Sequence, residues 1–226
     1  MKEYWAIPPE HSAEFVAARE DVLAVYQRPP DPTHPVVCMD ETSKQLVGET
    51  RVALSAEPGQ PRREDYEYER HGVANLFLFC EPLAGWREVQ VTERRTRTEW
   101  AMAMCELSDR HYPAAERITV VLDNLNTHGP ASFYEAFAAP EARRLAERFE
   151  FHYTPKHGSW LNIAEIEFSV LSRQCLDRRV GEAGLLRREI EAWQRKRNAA
   201  SKIIDWQFTT VDARTKLKRL YPVIQT

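Results

Sequence analysis

No apolar run in these 226 residues reaches the roughly 18 needed to cross a bilayer. The opening MKEYWAIPPE has no basic stretch leading into an apolar one. These absences exclude a membrane-spanning helix and a recognisable secretory signal, and make the cytoplasm the expected compartment. Cysteine is scarce and scattered: Cys38, Cys80, Cys105 and Cys175 show no CxxC spacing, which argues for free thiols, mostly in the core, over a zinc site. Internal repeats and low-complexity segments are absent too. Nor is there an overall positive charge, because the chain carries a net −3. What is present is enough apolar residue, 43%, for one substantial core with extensions. The charge is also unevenly divided. From Leu171 onward 13 Lys and Arg stand against 6 Asp and Glu, a net of +7, whereas 18 stand against 28 before it, a net of −10. A basic tail and an acidic body suit a protein that touches phosphate on one face and gathers carboxylates elsewhere.

Residues 10 to 26 carry apolar positions at helical spacing and end in the turn-rich QRPPDPTHP, which predicts a helix and a linker. The run VVCMDE at 36–41 reads as a short strand, with 46–54 and 73–80 as two further strands of a meander. A helix at 98–110, a buried strand at 118–123, a helix interrupted at Pro140, a short strand FEFHYTP and a helix from about 162 to 176 follow. The C-terminal LLRREIEAWQRKRNAA predicts a basic amphipathic helix, and DWQFTTVDARTKLKRLYP a short helical appendix. That order suits an α/β layer fold of the ribonuclease-H-like class, a mixed five-stranded sheet flanked by helices.

Asp40 and Asp123 each close a predicted strand, where α/β sheets place their sites, although aspartate is also an ordinary turn starter there. Glu165 is the candidate third carboxylate. At about 100° per residue from Leu161, the positions Leu161, Ala164, Phe168, Leu171 and Cys175 fall between roughly 280° and 360°, with Leu176 at about 60°. Glu165, at about 40°, then lies within the apolar arc, and Glu167, at about 240°, lies at its edge with easier access to solvent. The N-x-x-E spacing of Asn162 and Glu165 also fits a capping box. Three converging carboxylates raise one another's pKa unless hard cations join them, and Mg2+ or Mn2+ suits oxygen ligands. Two such ions point to phosphoryl transfer on DNA.

The strings MDETSKQ, VVLDNLNTH and YTPKHGSWLNIAEIEFSVLSRQ closely resemble the catalytic domain of bacterial insertion-sequence transposases related to mariner. The resemblance implies a ribonuclease-H-like fold in which Asp40, Asp123 and Glu165 form a D-D-E triad binding two Mg2+ ions, with Asn124, His128 and Asn162 as auxiliary motif residues. It implies excision of a DNA element and insertion of its ends at TA dinucleotides, with paired ends requiring a dimer during the reaction. Between Asp123 and Glu165 lie 41 residues, more than is usual in the family, with the excess expected in the helix around Pro140. Such transposases carry N-terminal helix-turn-helix modules. No recognition helix precedes the first strand here, so a separate chain bearing that module is expected to supply end recognition. The expected organisation is an N-terminal helix and linker (1–32), a catalytic domain (33–180) and a basic helical extension (181–226). The alternative is a non-catalytic remnant that binds DNA or full-length transposase and regulates it. Lys156, His157 and Ser159, with Arg94, Arg95, Arg97, Arg195, Lys196 and Arg197, are candidate DNA contacts. Trp160 suits either base stacking or core anchoring, while Trp100, Trp193 and Trp206 read as packing residues.

Overall fold

The computed structural model describes residues 12–222, apart from 52, 53, 62, 64 and 126. Helix α1 (Ala13–Tyr26) opens on Ser12, whose hydroxyl accepts from the Phe15 N–H at 3.2 Å. Residues 10 and 11 of the expected helix lie outside the described residues. Next come strands β1 (Val36–Glu49), β2 (Tyr68–Glu81) and β3 (Trp86–Thr92), then α2 (Arg97–Glu106) with a π-helical continuation (Leu107–His111). Strand β4 (Ile118–Leu122), helices α3 (Pro130–Ala136) and α4 (Ala139–Arg148), and strand β5 (Phe149–Tyr153) follow. A 3-10 turn (Ser159–Leu161) leads into α5 (Ile163–Leu171), which also continues as a π-helical segment (Ser172–Leu176). Helices α6 (Ala183–Ala199) and α7 (Thr210–Lys216) complete the main elements.

The strands lie in the order β3-β2-β1-β4-β5, with β1, β2 and β3 antiparallel and β4 and β5 running parallel to β1. This is the mixed five-stranded sheet expected of the ribonuclease-H-like class. Alternation of side chains along each strand divides the core in two. Val37, Met39, Phe77, Phe79, Val120 and Leu122 face α2, α3 and α4, where Trp100, Phe133 and Leu145 are fully buried. Cys38, Leu76, Leu78, Cys80 and Val121 face the other way, onto residues of α1, α5 and α6. Cys38 and Cys80 are buried, Cys105 and Cys175 half-buried, and all four thiols are free.

The meander differs in detail from the sequence expectation. One continuous strand replaces the expected strands at 36–41 and 46–54, with an irregularity between Gln45 and Val47; Val52 and Ala53 lie outside the described residues. The third strand is WREVQVT, which the pattern alone did not reveal. As an edge strand β3 leaves backbone groups unpaired, and α6 satisfies them: Gln194 accepts from the Val89 N–H at 2.9 Å, while Asn198 accepts from the Arg87 N–H at 3.0 Å and donates to its carbonyl at 2.8 Å. The β2–β3 turn comes close to the same helix end. Gly85 has φ +65° there, and a Cβ would meet the Ser201 backbone at 2.7 Å.

Candidate active site

β1 outruns its parallel neighbour. Cys38 pairs with Val121, so continuing that register sets Asp40 level with Asp123, the first residue beyond β4. Asp40 therefore lies inside β1 rather than at its end, beside the opening left where β4 stops, and it points to the α5 face like Cys38. That placement corrects the expectation of two strand-closing aspartates and gives the same convergence.

Helix α5 is fastened to this opening at its N-terminus. The Asn162 side chain donates to the Met39 carbonyl at 2.9 Å and accepts from the Ala164 N–H at 3.1 Å, so one buried amide both caps α5 and ties it beside Asp40. The cap is not the expected box, since Asn162 takes the Ala164 N–H and the Glu165 carboxylate has no partner among the described residues. Tyr26 adds a second tether, donating to the Leu161 carbonyl at 2.7 Å.

Burial is the main cause that lifts Asp40 to about 7, helped by the negative charges of Asp123 and Glu165 and opposed by a 2.8 Å hydrogen bond from the Glu41 N–H. His128 is buried, stacked on Trp100 at 5.7 Å between ring centroids, with Nδ1 2.7 Å from Asp123 and Nε2 3.3 Å from Glu41. Burial disfavours its charge, but the hydrogen bonds and charges of these two carboxylates outweigh that and raise it to about 9. A protonated His128 therefore bridges Asp123 and Glu41, and Arg95 reaches the other oxygen of Glu41 at 3.3 Å. Glu41 is the site residue that sequence reasoning missed, although its place directly after Asp40 was a visible signal.

Glu165 and Glu167 exchange the exposures expected of them. Glu165 is exposed, whereas Glu167 is 1% exposed and meets Arg87 at 3.1 Å and Arg197 at 2.7 Å. Arg87, itself fully buried, also donates to the carbonyls of Gly85 and Lys202. Arg197 is thus turned inward and lies over the Trp193 ring, which removes it from the candidate DNA contacts. Arg97 pairs with Glu135, while Arg94, Arg195 and Lys196 are exposed, the last two on α6. Lys156, His157 and Ser159 form an exposed loop ahead of Glu165, with His157 in the left-handed region at φ 63°. Trp160 packs against the core and edge-on to Phe208 at 5.9 Å, which supports core anchoring. Asn124 is exposed.

Asp40, Asp123 and Glu165 supply hard oxygen donors from three separate elements. Asp40 is largely desolvated and makes no ion pair among the described residues, the charge of His128 only partly offsetting its raised pKa, so the donor set fits a divalent cation. A tighter group, Cys105, Asp109 and Glu141, has ligand atoms within 4.8 Å of one another, but Arg144 already pairs with both of its carboxylates.

The fold predicts a pH signature for Asp40. An unfolded aspartate ionises near 3.8, whereas Asp40 in the fold holds its proton to about 7. The folded chain therefore binds more protons between those values, and this contribution to stability falls as pH rises through the window. In chelator, wild type and Asp40→Asn are expected to melt alike near pH 4 and to separate up to pH 7, the variant becoming the more stable. Parallel melting curves across that range, followed by calorimetry, would count against the assignment.

The family described as DDE superfamily endonuclease matches residues 35–187. No curated protein matches the chain. Among solved structures, the Mos1 transposase paired-end complex with left transposon end is similar at 16% identity and a TM-score of 0.55, over 86% of this chain and 58% of that one. The Mos1 mariner paired-end complex with Mn gives 16% identity and a TM-score of 0.54, over 89% and 62%. The mariner Mos1 paired-end complex with Mg gives 16% and 0.55, over 99% and 67%. The chain spans about three fifths of the length of the first Mos1 chains it matches, and the likeness is one of fold. With more than half of its residues matched by the family, and with its five-stranded sheet and flanking helices shared with Mos1, the chain belongs to the DDE superfamily endonucleases.

Proposed function

We propose that this chain is the catalytic domain of a cut-and-paste DNA transposase of the mariner-related insertion-sequence group, with residues 33–180 as the catalytic unit. The observation that carries the reading is the convergence of Asp40, Asp123 and Glu165 from β1, the end of β4 and α5 on one opening of the sheet. Family membership and the DNA complexes of Mos1 support it. The three carboxylates would hold two Mg2+ ions, with Mn2+ as a substitute. When bound, such ions activate an attacking water or 3′-hydroxyl and stabilise the leaving oxygen of a phosphodiester. The chain's own residues fix the carboxylates: His128 restrains Asp123 and Glu41, while Asn162 and Tyr26 hold α5 against β1. The partners of this reading are transposon inverted-repeat ends and target DNA at TA sites. A dimer holds the paired ends, and a helix-turn-helix module supplies end recognition.

The reading predicts magnesium-dependent nicking or strand transfer on transposon-end DNA, tested with the chain alone and with the chain fused to a helix-turn-helix module. Asp123→Asn is expected to abolish it in whichever preparation is active. Cleavage that survives this substitution would sink the assigned site.

A further inference from the structure

The sheet opening does not end at the carboxylates. Thr42 lies two residues beyond Asp40 on β1 and so on the same face. Ser172 follows Glu165 by seven residues, close to two helical turns, so it continues the Glu165 stripe roughly 10 Å along the axis. Thr42, Lys44, Ser172 and Arg173 line one open depression, and Arg173 also lines the larger cleft between the π-helical segment and α6, where Lys196 and Lys202 stand.

The charges along this path are unequal. Arg178 is neutralised by Glu189 at 2.5 Å, and Arg197 by Glu167. Arg173, Lys196 and Lys202 are exposed and have no carboxylate partner among the described residues, against one exposed acid, Asp177. Lys44 donates to the carbonyls of Leu176 and Arg178 at 2.7 and 3.3 Å, which adds a fixed positive charge and holds the floor between the two depressions. Exposed cations without partners, aligned on a path that begins at the carboxylates, offer phosphodiesters what the acidic body of the chain does not.

We propose that this groove, from Thr42 past Arg173 to Lys196 and Lys202, binds the DNA backbone on one side of the scissile phosphate. The inference rests on the transposase reading and extends it, because it specifies where the duplex leaves the active site. The roughly 10 Å from Glu165 to Ser172 corresponds to about three base pairs at 3.4 Å each, so Arg173 would meet the backbone within the first few nucleotides, and Lys196 and Lys202 beyond them. It also gives the basic tail a function that Arg197, turned inward, does not serve.

The test is duplex binding by the full chain, read as fluorescence anisotropy of an end-labelled DNA across a series of KCl concentrations. Arg173→Glu, Lys196→Glu and Lys202→Glu are combined in one variant. A control combines Arg117→Glu, Lys218→Glu and Arg219→Glu, which change the net charge equally, on exposed residues away from the groove. The groove variant is expected to bind at least tenfold more weakly, with a salt dependence reduced by roughly 2 to 3 in log–log slope, near 0.9 per lost phosphate contact. The control is expected to keep most of the wild-type slope. Equal losses in both variants, or none in the groove variant, would overturn the groove and leave the transposase reading standing. Absence of any duplex binding by wild type would overturn the groove as well, whereas the transposase reading is decided separately by the cleavage assay and its Asp123→Asn control.

Discussion

Glu167→Ala is expected to cost the fold about 3–5 kcal/mol, a large share of the roughly 5–15 kcal/mol that holds a domain together. The reason lies in what remains behind. Arg87 is fully buried, with its Nε 3.1 Å from the Glu167 carboxylate, and its links to the Gly85 and Lys202 carbonyls hold it in place after Glu167 is truncated. A guanidinium then sits uncompensated where three parts of the chain meet: α5, β3 and the end of α6. Arg197 loses its partner at the same stroke. Replacing both charges, as in Glu167→Leu with Arg87→Met, is expected to recover most of the loss, because a pair removed together leaves no orphan. Denaturant midpoints of the single and double variants provide the measurement. A Glu167→Ala loss below about 1 kcal/mol would show that the pair is not the joint described above.

Glu165→Gln, two residues earlier, is expected to have the opposite profile. The side chain is exposed and has no partner among the described residues, so its loss should change stability by no more than about 0.5 kcal/mol. On the proposed reading the same change removes a cation ligand, and several kcal/mol of transition-state stabilisation go with it. About 4 kcal/mol corresponds to roughly 10³-fold in cleavage rate. Single-turnover cleavage and thermal melts of the two variants separate the roles: Glu165 for chemistry, Glu167 for the joint beneath it. If Glu165→Gln cleaves at the wild-type rate, the third carboxylate has been misassigned.

The contrast between these two glutamates also shows where sequence stopped being informative. Leu161 and Leu176 belong to the 3-10 and π-helical segments on either side of α5, not to its α-helical phase. Counting them in the apolar arc widened it towards Glu165. The residues buried by α5 itself are Ile163, Ala164, Glu167, Phe168 and Leu171, and on that arc Glu165 faces out. Nothing local could reveal Glu167 as a core residue, because its partner Arg87 comes from β3, 80 residues away. The motif residues and the periodicity argument select the same acid, but the periodicity argument gives it the wrong orientation. The same limit hid β3 itself: WREVQVT mixes charge with apolar residues because one side meets α6 and the strand lies at the edge. ETSKQ reads as a strand end, yet β1 continues through it, because past Asp40 the strand runs beyond the end of β4 into the opening. By contrast the buried strand at 118–122, the break between α3 and α4 and the α6 helix were legible, since their patterns answer to local packing.

The central claim is that Asp40, Asp123 and Glu165 together form a divalent-ion site. Its most direct test is the number of Mn2+ ions bound per chain in the presence of duplex DNA, measured by electron paramagnetic resonance during a metal titration. The account predicts two ions for wild type, loss of at least one in Asp123→Asn and in Glu165→Gln, and unchanged binding in a control lacking the Cys105 thiol. Wild-type stoichiometry retained in both carboxylate variants would contradict it.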